Sequence, residues 1–356
     1  MGQTLRMGYV GCGFMAQKVH IPNIRAVEDC ELAALAEVRP ELLSRCGEFF
    51  GVEKLYPSHA ELAEDPDIDA VAVSGHYSRQ GEIAIDLLRA GKDVFMEKPM
   101  ATSLAQGERI VAAERESAGR LMIAYMKRYD AGNVAVKRLL DEFQASGELG
   151  AIQYARNHGF CGDWIAGLDT PMVGTDEPKP EAETTWPEWL PESFRRGYIG
   201  YLQQYTHNVN LLRWFLDAGP DAEVRAVDLD EDGMTGVVVM EMAGRRALIE
   251  SGSIPYPGWE EHTQIYFDRG WVKTCAPPLL LKNVCATVEV YRGDQPEKPR
   301  TELFPPDGRS WSYREEMKHF VQCVLRGKPF RSPAADALED VRLLEEIYRR
   351  HVGQRA

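Results

Sequence analysis

Leu5-Arg6-Met7-Gly8-Tyr9-Val10-Gly11-Cys12-Gly13-Phe14-Met15-Ala16 decides how this chain begins to fold. Residues 5–10 form a short apolar strand that runs directly into a glycine-rich turn. The KVHIPNIRAV stretch behind it has the apolar spacing of a helix of about one to three turns. Glycines let a backbone turn tightly and approach a pyrophosphate, while the next helix start offers free N–H groups and a positive dipole end. Gly11, Cys12, Gly13, Phe14 and Met15 are therefore expected to cradle a dinucleotide. The third fingerprint position is Ala16, small enough for the close helix packing needed there.

Outward from this turn, strands and helices alternate. Residues 31–36 (ELAALA) make a second strand, and Pro40 opens a helix through Phe50. The run 69–73 (DAVAV) is nearly all apolar, as in a central parallel strand covered on both faces. A helix over 80–90 ends at Gly91, a strand follows at 93–96, a helix spans 103–118 and a strand spans 121–125. The pattern predicts a doubly wound α/β domain over residues 1–125. The second strand delivers Glu37, whose carboxylate can accept both ribose hydroxyls of NAD and repel the extra phosphate of NADP. Arg39 is the competing signal, since its guanidinium can pair with that phosphate. NAD is expected, with NADP second.

Bulk properties narrow the function class. At 356 residues the chain exceeds the usual size of one hydrophobic core, so two domains are expected. The formal charge of −14 opposes nucleic acid and anionic membranes as partners. No apolar run approaches a bilayer span and the start lacks a secretory pattern, so a cytoplasmic location is the default expectation. The seven cysteines lack CxxC spacing, which predicts buried free thiols and no metal site. Asp228, Asp230 and Asp232 lack the spacing and closing glutamate of a calcium loop and read as a turn.

The stretch GKDVFMEKP (91–99), with Glu97-Lys98-Pro99 at a strand end, resembles the signature of the glucose–fructose oxidoreductase and inositol dehydrogenase (Gfo/Idh/MocA) family. The resemblance extends to GYVGCGFMAQKVHIP, LMIAYMKRYD, SGELGAI (146–152) and YIGYLQQYTHNVNLLRWF (198–215). It implies a Rossmann-like first domain followed by an α+β domain, residues 126–356, with a large, mainly antiparallel sheet. That second domain would bind substrate and form a homodimer or homotetramer through its sheet, with the last helix packing back on the first domain. The implied substrate is a sugar, cyclitol or related polyhydroxylated ring that changes oxidation state at a hydroxyl carbon.

The same resemblance assigns roles. Lys98 would stabilise the reacting oxygen or relay its proton, and the Lys98-Pro99 bond is expected to be cis. Glu97 joins the cofactor-binding set. His207, near the start of an amphipathic helix with Asn210 three residues on, would be the general base. The family's aspartate four residues before that histidine is Gln203 here, and the position after it is Asn208, so two carboxylates that would favour the charged imidazole are missing. Gln203, with Tyr201 or Tyr205, would position neighbouring hydroxyls. After the third long strand, Ser74, Gly75 and His76 replace the family's Thr-Pro-Asn turn, with Gln80 near the place of a later histidine. His76 either reaches the cofactor or is a bystander in the loop.

In the second domain a helix is expected from Met126 to about Leu140, then a strand at 151–158. Arg128 lies within reach of a cleft. Residues 163–193 hold eight acids, one lysine and five prolines, which predicts a long ordered loop. Its Trp164 either stacks on a sugar ring or simply packs. Strands follow at 223–229, 236–242, 246–252, 262–268, 270–274 and 285–291, with hairpins at Gly244 and Asp268-Arg269-Gly270. Helices at 312–326 and 334–350 close the chain, with His319 on the surface. The leading expectation is an NAD(P)-dependent oxidoreductase. Alternatives are redox-assisted elimination or glycoside cleavage with retained NAD, and a non-catalytic dinucleotide sensor.

Overall fold

The computed structural model describes residues 4–168, 170–305 and 309–355. It divides into two compact units. The first comprises Met1–Tyr125, Asp169–Pro187 and Tyr313–Val341; the second comprises Met126–Leu168, Glu188–Ser312 and Arg342–Ala356.

In the first unit β1 (Leu5–Val10) leads through a π-helical turn at Ala16–His20 into α1 (Ile21–Ile24). Then come β2 (Cys30–Ala36), α2 (Pro40–Phe50), β3 (Lys54–Tyr56), α3 (His59–Glu64), β4 (Ala70–Val73) and α4 (Tyr77–Arg89). The pattern ends with β5 (Asp93–Glu97), α5 (Leu104–Glu116) and β6 (Leu121–Ala124). All six strands are parallel, in the order β3-β2-β1-β4-β5-β6. The order reverses between β1 and β4, where such sheets open a crevice for ligands. Apolar runs set the strands: all four residues of β4 are buried, because helices cover both faces. Ser58 and Ser103 cap α3 and α5 by accepting the N–H of Glu61 and Gln106. The expected 80–90 helix begins earlier, at Tyr77, because His76 caps it. The strand β3 and the helix α3 lay outside the sequence-based expectation.

The second unit opens with a correction. The helix expected from Met126 is a 3-10 turn at Met126–Tyr129, and the α-helix α6 runs from Ala131 to Ser146. Asp130 ends the first and starts the second by accepting N–H bonds from Gly132 and Asn133. Then come β7 (Ile152–Cys161), α7 (Arg195–Leu216), β8 (Glu223–Leu229), β9 (Gly236–Met242) and β10 (Arg245–Ser253). Next are β11 (Glu260–Phe267), β12 (Gly270–Cys275), β13 (Thr287–Arg292) and a β14 (Arg300–Leu303) not foreseen from sequence. The eight strands run β14-β13-β12-β11-β7-β10-β9-β8, antiparallel except for the β7–β10 pair. Alternate residues Ala155, Asn157 and Gly159 of β7 are buried, whereas Tyr154, Arg156, His158 and Phe160 on the other face stay half-exposed.

The chain closes with α8 (Ser312–Arg326) and α9 (Ala334–Gly353). Ala334, Ala337 and Val341 from the first turns of α9 join the apolar core of the first unit. His319 on α8 is half-buried rather than a surface residue: its Nε2 accepts the N–H of Arg331, and burial pushes its pKa down to about 4. No helix among the described residues is long and apolar enough to cross a membrane.

Candidate active site

The glycine turn has the shape its composition predicts. Gly11 has φ +93°, and a Cβ there would lie 2.9 Å from the Ser74 carbonyl oxygen, so only glycine fits between the ends of β1 and β4. Ala16 is fully buried in the helix packing behind it. Gly13, Phe14 and Met15 are half-buried at the start of the helical segment. This cradle, at the reversal of strand order, fits a dinucleotide pyrophosphate. Tyr9 donates its hydroxyl hydrogen to Ser74 Oγ at 2.7 Å, which fixes Ser74 beside the turn.

Glu37 ends β2 as predicted, and its surroundings explain its charge. Its Oε2 accepts the Cys12 N–H at 2.8 Å, and Arg39 forks onto both oxygens at 2.9 and 3.1 Å. Burial opposes ionisation, but the guanidinium and the amide outweigh it and hold the carboxyl below its usual range. Arg39 is thereby committed to Glu37. Gly75 and His76 are exposed. The His76 Nδ1 accepts the Ser78 N–H at 3.4 Å, which makes this imidazole a helix cap, and lies 2.6 Å from Ser78 Oγ.

Lys98 follows β5 directly, is half-buried, and precedes a cis bond to Pro99. Its peptide is held from two sides. The Glu97 carboxylate accepts the Lys98 N–H at 3.0 Å, and the buried Gln80 amide donates to the carbonyls of Glu97 and Pro99 at 2.9 and 2.6 Å. His20, fully buried, bonds the other Glu97 oxygen at 2.8 Å. Glu97 therefore supports Lys98 from below, and its carboxylate is engaged by His20 and the Lys98 N–H. Nearby, Glu316 of α8 is fully buried, and neither of its oxygens has a hydrogen-bond partner among the described residues. Burial, reinforced by the Glu97 charge, pushes its pKa well up. Glu316 lies in no motif, Gln80 stood out only as near the place of a family histidine and His20 only as part of a matching stretch; their contacts with Glu97 arise from packing across the sheet.

In the second unit His207 sits on α7, buried at 5% exposure. Asn210 Oδ1 accepts from Arg128 Nε at 2.7 Å, which joins two predicted substrate residues in one buried pair. Gln203 is half-buried one turn before His207. Two of the predicted residues are placed differently. Tyr201 is fully buried against the rings of Tyr205 and Tyr348. The Tyr205 hydroxyl accepts the Gly252 N–H and donates to the Gly252 carbonyl, at 2.7 and 2.8 Å, so its only proton is given to the sheet. Both tyrosines face the core because α7 lies flat on the sheet. Trp164 is 41% exposed on its loop.

A buried polar chain supports α7 from beneath. Asn208 donates to Asn157 Oδ1 at 2.7 Å, and Asn157 donates to Thr263 Oγ1 at 2.7 Å. Asn208 also reaches Glu261, which pairs with the buried Lys127. Gly159 is required here, since a Cβ would meet Asn208 Nδ2 at 2.7 Å. Sequence reading passed over Lys127, in the 3-10 turn, and Glu261, on β11, because charged residues usually face water. Among the described residues no group of three His, Cys, Asp or Glu side chains could hold a metal. Asp230 instead accepts the N–H groups of Met234 and Thr235, closing a turn.

Comparison with known proteins agrees with this architecture. The GFO_IDH_MocA family model, an oxidoreductase family with an NAD-binding Rossmann fold, matches residues 5–125. A myo-inositol 2-dehydrogenase from Thermotoga maritima is 25% identical over 338 residues, covering 91% of this chain and 90% of that protein. An inositol 2-dehydrogenase from Ralstonia nicotianae is 33% identical over 151 residues, 42% of this chain and 43% of its own length. An aldose–aldose oxidoreductase from Caulobacter crescentus superposes with a TM-score of 0.74 at 21% identity, over 99% of this chain and 98% of that one. A 3-ketoreductase from Actinomadura kijaniata, in complex with TDP-benzene and NADP, gives 0.72 at 22% identity over 97% of both chains. The two structural likenesses speak to the fold. The family model is seated on the glycine turn and its parallel sheet, and a relative at 25% identity aligns along most of both lengths. Residues 5–125 therefore match the NAD-binding Rossmann fold of the GFO_IDH_MocA oxidoreductases, and the chain as a whole is similar to them.

Proposed function

We propose that the protein binds NAD in preference to NADP and catalyses oxidation or formation of a secondary hydroxyl on a sugar, cyclitol or related ring. The observation that carries this reading is the clamp on Lys98, whose peptide is fixed by Glu97 and by the buried Gln80 amide at the carboxyl edge of the parallel sheet. An ammonium held at a strand end can stabilise negative charge developing on a reacting oxygen. His207 takes the hydroxyl proton in the oxidative direction and returns it in the reductive one. Arg128 and Asn210, already bonded to one another, orient a neighbouring hydroxyl. When bound, the nicotinamide supplies the hydride acceptor or donor.

The ionised Glu37 supports NAD, because it can accept from ribose hydroxyls and repels a 2′-phosphate. The inositol dehydrogenases among the relatives support a cyclitol or sugar as substrate. The half-exposed aromatic and charged face of β7 and β11, with His158 stacked on His262 at 4.9 Å, supports self-association through the sheet.

The test is a polyol and sugar panel followed by nicotinamide absorbance, with NAD and NADP assayed separately. Lys98→Met is expected to lower kcat by about 10²–10⁴-fold while dinucleotide binding persists. Parent-like turnover in that variant would remove Lys98 from the chemistry.

A further inference from the structure

The helix α2 starts without a cap of its own. Its N-cap residue is Arg39, whose side chain makes no capping bond, and Pro40 follows at the first helical position. Helix starts leave N–H groups that need an acceptor, and they attract negative charge. Here the acceptor comes from far along the chain. Glu177 accepts the N–H of Glu41 with Oε1 and that of Leu42 with Oε2, each at 3.0 Å. Burial opposes its ionisation, but those two amides outweigh it and hold the carboxyl below its usual range.

The segment carrying Glu177 is tied down along the same edge of the first unit. Gln17, in the helical turn behind Gly13, exchanges hydrogen bonds with the Val173 backbone at 3.0 and 2.8 Å and donates to the Cys12 carbonyl at 2.7 Å. Arg45 donates to the Gly174 carbonyl at 2.7 Å and pairs with Glu41 at 2.8 Å. Thr102 donates to the Thr185 carbonyl at 2.8 Å. The strap therefore runs from the glycine turn to the start of α2, directly after Glu37.

We propose that Glu177 is a cofactor-selectivity residue, a carboxylate that the strap plants at the start of α2 so that a 2′-phosphate finds the place taken. The inference rests on the reading of Glu37 and Arg39 as the adenosine-ribose end of the dinucleotide site. In domains of this kind an acid at the end of the second strand binds the ribose hydroxyls, and a nearby arginine accommodates a 2′-phosphate. That phosphate carries close to two negative charges at neutral pH. Around Arg39 and Arg45 stand three carboxylates, Glu37, Glu41 and Glu177. A 2′-phosphate would have to draw Arg39 from Glu37 and compete with Glu177 for the two amides. A ribose hydroxyl needs neither.

The experiment compares binding of ADP and 2′,5′-ADP, and steady-state use of NAD and NADP, in the parent, Glu177→Ala and Glu177→Gln. Removing the charge is expected to raise the 2′,5′-ADP to ADP affinity ratio, and the NADP to NAD ratio of kcat/KM, by about tenfold in both variants. A purely structural cap would behave differently: Glu177→Ala would weaken both ligands equally, Glu177→Gln would restore both, and the ratio would not move. That result overturns the proposal while leaving the cofactor site intact. A parent protein that binds neither ADP nor 2′,5′-ADP would remove the reading of the site itself, and this inference with it.

Discussion

The end of β5 and the middle of α7 carry the two residues on which the proposed chemistry depends, and they are supported in opposite ways. Lys98 follows a strand, and its peptide is gripped by side chains that reach it across a parallel sheet: Glu97 beside it, Gln80 from the next helix before it, and His20 beneath. His207 sits inside a 22-residue helix, so its backbone needs no help. The support there goes to the helix as a whole, through Asn208, Asn157, Glu261 and Lys127. A residue at a strand end is positioned by its own hydrogen bonds. A residue on a helix is positioned by what the helix lies on. Damage near Lys98 should therefore alter the local site, whereas damage beneath α7 should be felt by the unit.

The sharpest way to break that contrast is Glu261→Ala. Its partner Lys127 is buried at 6% exposure and would be left as an uncompensated charge. Removing one member of a buried ion pair typically costs about 3–5 kcal/mol, so the urea midpoint should fall substantially. A double variant, Glu261→Leu with Lys127→Met, should recover most of the loss, since apolar replacements of both charges are often tolerated. If Glu261→Ala unfolds at the parent midpoint, the pair contributes no support to α7.

His20→Ala tests the other region with a smaller expected effect. It leaves one oxygen of the buried Glu97 without its donor, a loss of about 1–3 kcal/mol. The contrast predicts that kcat falls together with stability, because Glu97 also fixes the Lys98 N–H. His20→Asn keeps a donor on the side chain and should restore part of both. A stability loss with unchanged kcat would show that the Lys98 peptide does not need the pair.

The two regions also differ in how much of them the sequence reveals. Gly11, Glu37 and Lys98 stand at the ends of short apolar strands, where local pattern and motif coincide, and the parallel sheet follows from strand–helix alternation. His207 is legible because apolar residues recur around it at helical spacing. The supports are less visible. Gln80 and His20 act through contacts 17 and 77 residues away in sequence, and Glu177 through one of 136. No local period encodes such pairings. Tyr201 and Tyr205 illustrate the converse, since polar tips on a helix near a histidine look available until the sheet beneath takes them. The break at Asp130 was readable as an aspartate cap before Gly132 and Asn133, whereas β3 and β14, of three and four residues, are too short to show a period.

The smallest effect sharpens the Lys98 region through pH. Glu316 is kept protonated in the folded chain by burial and by the Glu97 charge, whereas in the unfolded chain it ionises above about pH 4.3. Below that pH both states hold the proton and the full stability is present. As pH rises, the unfolded state releases a proton that the folded state keeps, so stability falls until the raised folded pKa is reached. Glu316→Gln has nothing to release. The variant should therefore melt close to the parent near pH 4 and at a higher temperature near pH 8, with the gap opening steadily between. A parallel pair of melting curves across that range would mean that Glu316 is ionised in the fold. The Glu97 carboxylate would then sit beside a second buried negative charge.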